Sequence, residues 1–188
     1  MVITQTTIFF FDMDGTLVNT DIANFLSYKS ALAIVTGENT TLMSSDPFER
    51  LNRSRLKSII PGLTATDYER IIREKEICYK KYLHKTTIIK KNVEVLLRYS
   101  PTHQVVLVSN CRKKRALETL AYHGLLDKFT NVFYRDAASN KQRTNKYQNA
   151  INQLNLPPDN IVVFENDRQE IADAMDAGIR IINPQILL

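Results

Sequence analysis

Five short runs of apolar residues, rich in β-branched and aromatic side chains, mark the chain: Ile8–Phe11, then residues 105–108, 131–134, Ile161–Phe164 and 179–182. Turn or helix signals flank most of them, and their shortness predicts strands rather than helices. The apolarity is nearly continuous instead of alternating, the pattern of a parallel sheet covered on both faces. Between the later runs the period becomes helical. Residues 112–123 put Leu117, Leu120 and Ala121 on one face and stop at Gly124, which suits the left-handed position after a helix. A second helix is expected from a cap at Thr144, with Tyr147, Ala150, Ile151 and Leu154 inward, ending before Pro157 and Pro158. Asp167 and Glu170 have the spacing of a capping box for a third, which ends at Gly178. This alternation predicts an α/β protein with a doubly wound parallel sheet.

Residues 18–87 break the alternation. They contain no convincing strand. Residues 22–35 read as helix. Asp46, Pro47 and Glu49 form a helix start, with an aspartate cap, proline in the first turn and a glutamate three residues on. Leu51, Leu56, Ile59 and Ile60 follow, and Pro61-Gly62 stops that helix. Thr66 and Glu69 match a further capping box, opening a long helix with Tyr68, Ile71, Ile72, Cys78, Tyr79, Tyr82 and Leu83 near one face. A helical module therefore interrupts the α/β core after its first strand. The expected division is a core of residues 1–17 and 88–188 and a helical domain of residues 18–87.

Composition narrows the class. The 188 residues are 44% hydrophobic and 24% charged, ordinary for a globular chain that buries a core. A net charge of +5 favours anionic partners without singling out nucleic acid. Cys78 and Cys111 are far apart and lack metal-ligand spacing, so neither a disulfide framework nor a zinc site follows from them. No signal peptide or membrane-length apolar run is evident, so a cytoplasmic setting is expected.

The chemistry gathers at the end of the first strand. Phe9-Phe10-Phe11 leads directly into Asp12-Met13-Asp14-Gly15-Thr16-Leu17. In a parallel sheet the carboxyl ends of the strands form the ligand crevice, so Asp12 is expected at its floor. Gly15 permits a tight turn and close backbone approach. Two carboxylates two positions apart around such a turn can divide their work, one attacking as a nucleophile and the other passing a proton. An ordinary Asp-Gly hairpin turn would need a strand directly after it, and here helix follows.

This stretch resembles motif I of the haloacid dehalogenase-like hydrolases, and three further matches follow in order across nearly the whole chain. Residues 106–110, Val-Leu-Val-Ser-Asn, resemble motif II, whose hydroxyl residue binds the transferred phosphoryl group; that role falls to Ser109, with Asn110 beside it. Motif III is a phosphate-neutralising lysine, for which Lys141 and Lys146 both have suitable spacing; Lys146 lies in the first turn of a helix, where backbone N–H groups also favour an anion. Phe164-Glu165-Asn166-Asp167 resembles motif IV, followed by Ala177-Gly178. The register puts Asn166 where relatives of β-phosphoglucomutase carry a metal-binding aspartate, and Asp167 where they carry a helix-capping serine. Glu165 and Asn166 rank ahead of Asp167 as ligands.

The resemblance implies a Rossmann-like core with an inserted α-helical cap of the kind found with phosphoglycolate phosphatase and β-phosphoglucomutase. It implies a Mg2+-dependent phosphatase acting on a small phosphorylated metabolite through an aspartyl phosphate. Asp12 is then the nucleophile and Asp14 the acid and base. Ser109, Asn110, the lysine and backbone N–H groups near Met13 hold the phosphoryl oxygens, and Asp12, Asp14, Glu165, Asn166 and Asp167 are the candidate metal ligands. A phosphosugar mutase, a polynucleotide phosphatase and a catalytically impaired relative are the alternatives. The basic cluster Arg112-Lys113-Lys114-Arg115 would serve nucleic acid, but it lacks interleaved aromatics and reads as a solvated first helical turn. Nucleic acid and membrane are not the expected partners. Arg53, Arg55 and Lys57 in the helical module read mostly as a solvated face.

Overall fold

The computed structural model describes residues 3–37, 56, 58, 60, 62–135 and 145–186. The expected helix start at residues 46–49, the arginines at 53 and 55, Lys57, Lys141 and Thr144 lie outside them. The chain divides into two compact units, Met1–Val18 with Ile88–Leu188, and Asn19–Thr87.

The first unit is built on strands β1 (Ile8–Phe11), β4 (Val105–Arg112), β5 (Asn131–Arg135), β6 (Ile161–Phe164) and β7 (Ile181–Ile182). They form one sheet in the order β5-β4-β1-β6-β7, with every pair parallel. β1 is the central strand: Phe10 pairs with Val106 on one side and Val163 on the other. Its three phenylalanines are fully buried, each contributing roughly 1.5–3 kcal/mol of hydrophobic stabilisation. Phe9 and Phe11 point to one face, with Val93 and Leu96 of helix α3 (Lys90–Tyr99) and Ala116 and Leu120 of α4 (Lys113–Tyr122). Phe10 points to the other, with Tyr147, Ala150 and Ile151 of α5 (Lys146–Leu154) and Ala174 of α6 (Arg168–Asp176). Helices on both faces of a parallel sheet make this the doubly wound α/β core that the apolar pattern predicts.

Several local expectations are corrected. The run at 105–108 continues as strand to Arg112, with a register shift after Val108. The last strand is shorter than 179–182, because the Ile179 N–H donates to the Ala174 carbonyl and closes α6 instead. In α4 the buried residues are Ala116, Thr119 and Leu120, while Leu117 is half-buried and Ala121 exposed. Thr119 tolerates that face because its hydroxyl donates to the Arg115 carbonyl at 2.8 Å. The cap of α5 is Asn145, whose side-chain oxygen accepts from the Tyr147 and Gln148 N–H groups. Helix α3, which carries a buried Val93, Val95 and Leu96, was not among the expected elements.

The second unit contains α1 (Asp21–Thr36) and α2 (Ala65–Tyr79). Phe25, Tyr28 and Leu32 pack with Leu56, Ile71 and Ile72 in its own core. The α2 cap is Thr64, which accepts from the Asp67 N–H, two residues ahead of the expected Thr66. The helix changes at Tyr79 into a 3-10 segment, Lys80–Lys85, which carries Tyr82 and Leu83. Two-residue strands β2 (Val18–Asn19) and β3 (Thr87–Ile88) pair as a separate small sheet, at the edges of a segment where no strand was expected.

Because Thr64 and not Thr66 satisfies the first turn of α2, Thr64→Ala should destabilise by about 1 kcal/mol and Thr66→Ala by less than about 0.5 kcal/mol in urea titrations followed by circular dichroism.

Candidate active site

Asp12 follows the last residue of the central strand and keeps the strand's direction: its N–H donates to the Phe164 carbonyl at 3.0 Å. The chain then turns sharply. The Met13 carbonyl accepts from the N–H groups of Thr16, Leu17 and Val18, and Gly15 takes a left-handed φ of 85°. A Cβ on Gly15 would lie 2.9 Å from Asn166 Cγ, so the absence of a side chain lets the Asn166 amide pack directly on the turn. Thr16 Oγ1 completes that contact by donating to Asn166 Oδ1 at 3.1 Å.

Lys146 is the hub of the site. Its ammonium, nearly buried, lies 2.8 Å from Asp12 Oδ1 and 2.7 Å from Glu165 Oε2, with Glu170 Oε2 at 3.2 Å. Glu165 is 2% exposed, yet fully satisfied: Oε2 also accepts from the Tyr147 hydroxyl at 2.7 Å, and Oε1 from the Asn166 and Asp167 N–H groups. Asn183, at a left-handed φ of 48°, clamps the Glu165 backbone by accepting from its N–H and donating to its carbonyl. Burial is the largest influence on Asp12 and raises its pKa; Lys146 opposes that rise and Glu165 adds to it, leaving the carboxyl at about 6. For Lys146 burial pulls the other way, but Asp12, Glu165 and Glu170 together outweigh it and hold the ammonium charged well above the ordinary lysine range. Burial, then the charges of Glu165 and Asp12, raise the Tyr147 phenol well above its usual value, so it stays a donor.

Asp14 is held by a residue that sequence reasoning had left to solvent. Arg115 Nη1 lies 3.2 Å from Asp14 Oδ1 and 2.9 Å from Oδ2. Of the basic cluster, Lys113 and Lys114 are exposed, whereas Arg115 turns back from α4 onto the motif I turn. Just after Val108 in β4, the buried Ser109 hydroxyl oxygen accepts from the Cys111 N–H at 3.3 Å, which leaves its own proton to donate. Asn110 is exposed, and its Nδ2 donates to Glu170 Oε1 at 2.7 Å.

The haloacid dehalogenase-like hydrolase family matches residues 9–183, almost the entire chain. The chain belongs to this family. No curated protein matches it. Among solved structures, it is similar to CbbY from Rhodobacter sphaeroides in complex with phosphate, at 15% identity and a TM-score of 0.73, covering 95% of this chain and 86% of that one. A candidate β-phosphoglucomutase from Thermotoga maritima aligns at 23% identity with a TM-score of 0.67, covering 94% and 83%. A predicted phosphoglycolate phosphatase from Haemophilus somnus aligns at 19% identity with a TM-score of 0.73, covering 96% and 85%. At these identities the likeness is one of fold, and it is the fold of haloacid dehalogenase-like hydrolases.

Within this hydrolase β1, β4 and β6 bring Asp12, Ser109 and Glu165 to one end of the sheet, where the first residue of α5, Lys146, meets Asp12 and Glu165. Donor chemistry decides whether a hard cation such as Mg2+ fits there. Glu165 has both oxygens engaged, and Asp167 Oδ1 caps α6 by accepting from the Gln169 and Glu170 N–H groups. The Asp12 carboxylate, the Asp14 carbonyl and the Asn166 amide oxygen are oxygen donors of the right kind. One carboxylate with neutral oxygens and retained water is a set that Mg2+ accepts, so the residues fit. Among the described residues no cluster of three acidic, histidine or cysteine side chains forms a ready-made metal cage.

Four residues that organise this end of the sheet escaped sequence reasoning: Arg115, Tyr147, Glu170 and Asn183. Tyr147 and Glu170 had helical roles that explained them fully, as core and as cap. Glu170 does not complete the capping box, since the Asp167 N–H donates to Glu165 instead.

Removing the hub should leave Asp12 and Glu165 buried without their cation. Lys146→Met is expected to lower stability at pH 8 by roughly 3–5 kcal/mol. The loss should shrink as pH falls, and begin to do so above the parent Asp12 value of about 6, because without Lys146 to hold its pKa down Asp12 takes up a proton earlier and relieves the uncompensated charge. Urea titrations at pH 8 and pH 5 would check both.

Proposed function

We propose that this chain is a Mg2+-dependent phosphatase that hydrolyses a small phosphate monoester through an aspartyl phosphate. The observation that carries the reading is the buried Asp12 carboxylate at the end of the central strand, with the Lys146 ammonium 2.8 Å from Oδ1. The lysine orients one oxygen; the other, Oδ2, attacks phosphorus. The Oδ2–P bond forms, the P–O bond to the leaving alcohol breaks, and the alcohol oxygen takes a proton from Asp14. Asp14, then a carboxylate, takes a proton from water as that water attacks phosphorus. The Oδ2–P bond breaks, and inorganic phosphate leaves with both carboxyl groups restored. Two hydrogen bonds from Arg115 fix the Asp14 carboxylate for this exchange.

The Ser109 hydroxyl, the Asn110 amide, Lys146 and backbone N–H groups near Met13 hold the phosphoryl oxygens where charge develops. Asp12, the Asp14 carbonyl and Asn166 would hold Mg2+, which when bound supplies positive charge between two anions that otherwise repel. The helical unit, Asn19–Thr87, is inserted in the chain where the family carries its cap. Phosphate bound by CbbY, a relative in fold, supports the same class of ligand here.

Hydrolysis of p-nitrophenyl phosphate with and without Mg2+ tests the reading. Asp12→Asn should abolish turnover while the melting curve is retained. Asp14→Asn should cut turnover by about 10²–10⁴-fold. Asn166→Asp adds a negative oxygen to a donor set with one carboxylate, so the Mg2+ concentration for half-maximal activity should fall. If it does not move, Asn166 is not a ligand.

A further inference from the structure

Of the three side-chain donors that the phosphatase reading gives to the phosphoryl group, two, Lys146 and Asn110, face one residue. Glu170 Oε1 accepts from Asn110 Nδ2 at 2.7 Å, and Glu170 Oε2 lies 3.2 Å from Lys146 Nζ. The sheet order β4-β1-β6 makes this contact consequential. Asn110 lies near the carboxyl end of β4, Glu170 lies in the first turn of the helix after β6, and β1 with Asp12 lies between those strands. A bond from Asn110 to Glu170 therefore crosses the carboxyl end of the strand that carries Asp12.

We propose that Glu170 is an internal stand-in for the phosphoryl group, a carboxylate that a phosphate ester must displace to reach Asp12. The inference rests on the phosphatase reading. Chemistry supports the exchange, since carboxylate and phosphoryl oxygens are both anionic acceptors for the same N–H donors. Geometry supports it as well. Lys146 has three N–H donors; Asp12 and Glu165 take two in hydrogen bonds, while the approach of Glu170 Oε2 is an ion pair without hydrogen-bond geometry. A phosphoryl oxygen can accept that third N–H. The Glu170 backbone need not move, because its N–H is fixed by the Asp167 cap, and its side chain is 17% exposed, with solvent available to receive it. The residue thus sets the affinity of the phosphoryl subsite: three carboxylates face one ammonium in the resting site, and Glu170 is the most exposed of them.

The test compares the parent with Glu170→Ala and Glu170→Gln, measuring inorganic phosphate binding by calorimetry in Mg2+ and KM for p-nitrophenyl phosphate. Glu170→Ala should bind phosphate about tenfold more tightly or better, with KM falling in step, because a competing charge-assisted hydrogen bond is gone. Glu170→Gln should gain less, since its amide oxygen still accepts from Asn110 while the charge facing Lys146 is lost; its size keeps it a valid test if the alanine variant melts early. Unchanged or weaker phosphate binding in the folded variants of an active parent overturns the proposal and leaves the phosphatase reading standing, with Glu170 acting to position Lys146. A parent that neither hydrolyses the ester nor binds phosphate overturns the reading and the proposal together.

Discussion

One buried ammonium holds this end of the sheet together. Lys146 reaches Asp12 at the end of β1 and Glu165 at the end of β6, so a single charge joins two neighbouring strand ends. Without it, two carboxylates would sit in a low-dielectric site with no cation, an arrangement that a folded protein answers by taking up protons or by unfolding. Charge balance at this point therefore constrains helix α5, whose first residue is Lys146 and whose second, Tyr147, gives its hydroxyl to the same glutamate.

The site is tied to the core through that second residue. The Tyr147 ring stacks on Phe10 at 6.5 Å, on the face of the sheet that also buries Ala150 and Ile151. The same side chain thus fills the hydrophobic core at one end and satisfies a buried carboxylate at the other. On the opposite face, Phe11 and Phe164 stack at 4.8 Å and fix the ends of β1 and β6 side by side, immediately before Asp12 and Glu165. Packing sets the strand ends, and the strand ends set the carboxylates. Glu165 is held further by Asn183 and two backbone N–H groups, so it anchors the lysine more than it awaits a ligand.

Charge pairing divides the rest of the site in two. Asp12 belongs to the lysine, and Asp14, two residues on, belongs to Arg115. Two carboxylates on one tight turn would repel if both faced the same way, and separate cations relieve that repulsion. Asn166 fits this balance of charge: a neutral amide packs on Gly15 where a further carboxylate would add to the negative charge beside Asp12.

Much of the fold was legible because it depends on local pattern. Four-residue apolar runs are strands wherever helices cover both faces, and the Asp12 turn could be read from Gly15 alone. The cap of α6 was equally local, a matter of Asp167 and the two N–H groups beyond it. The caps of α2 and α5 were misplaced because threonine and asparagine offer several adjacent oxygens, and a shift of one or two residues costs the pattern nothing. What only tertiary structure decided was which long polar side chains turn inward. Arg115 and Glu170 occupy helical first turns, where charge normally faces water. Their partners, Asp14 and the pair Asn110 and Lys146, are distant in sequence and become neighbours only through the sheet order. Apolar periodicity records burial along one element. An ion pair across strand ends leaves no period, and so the residues that define the chemistry of this site were set by the sheet topology.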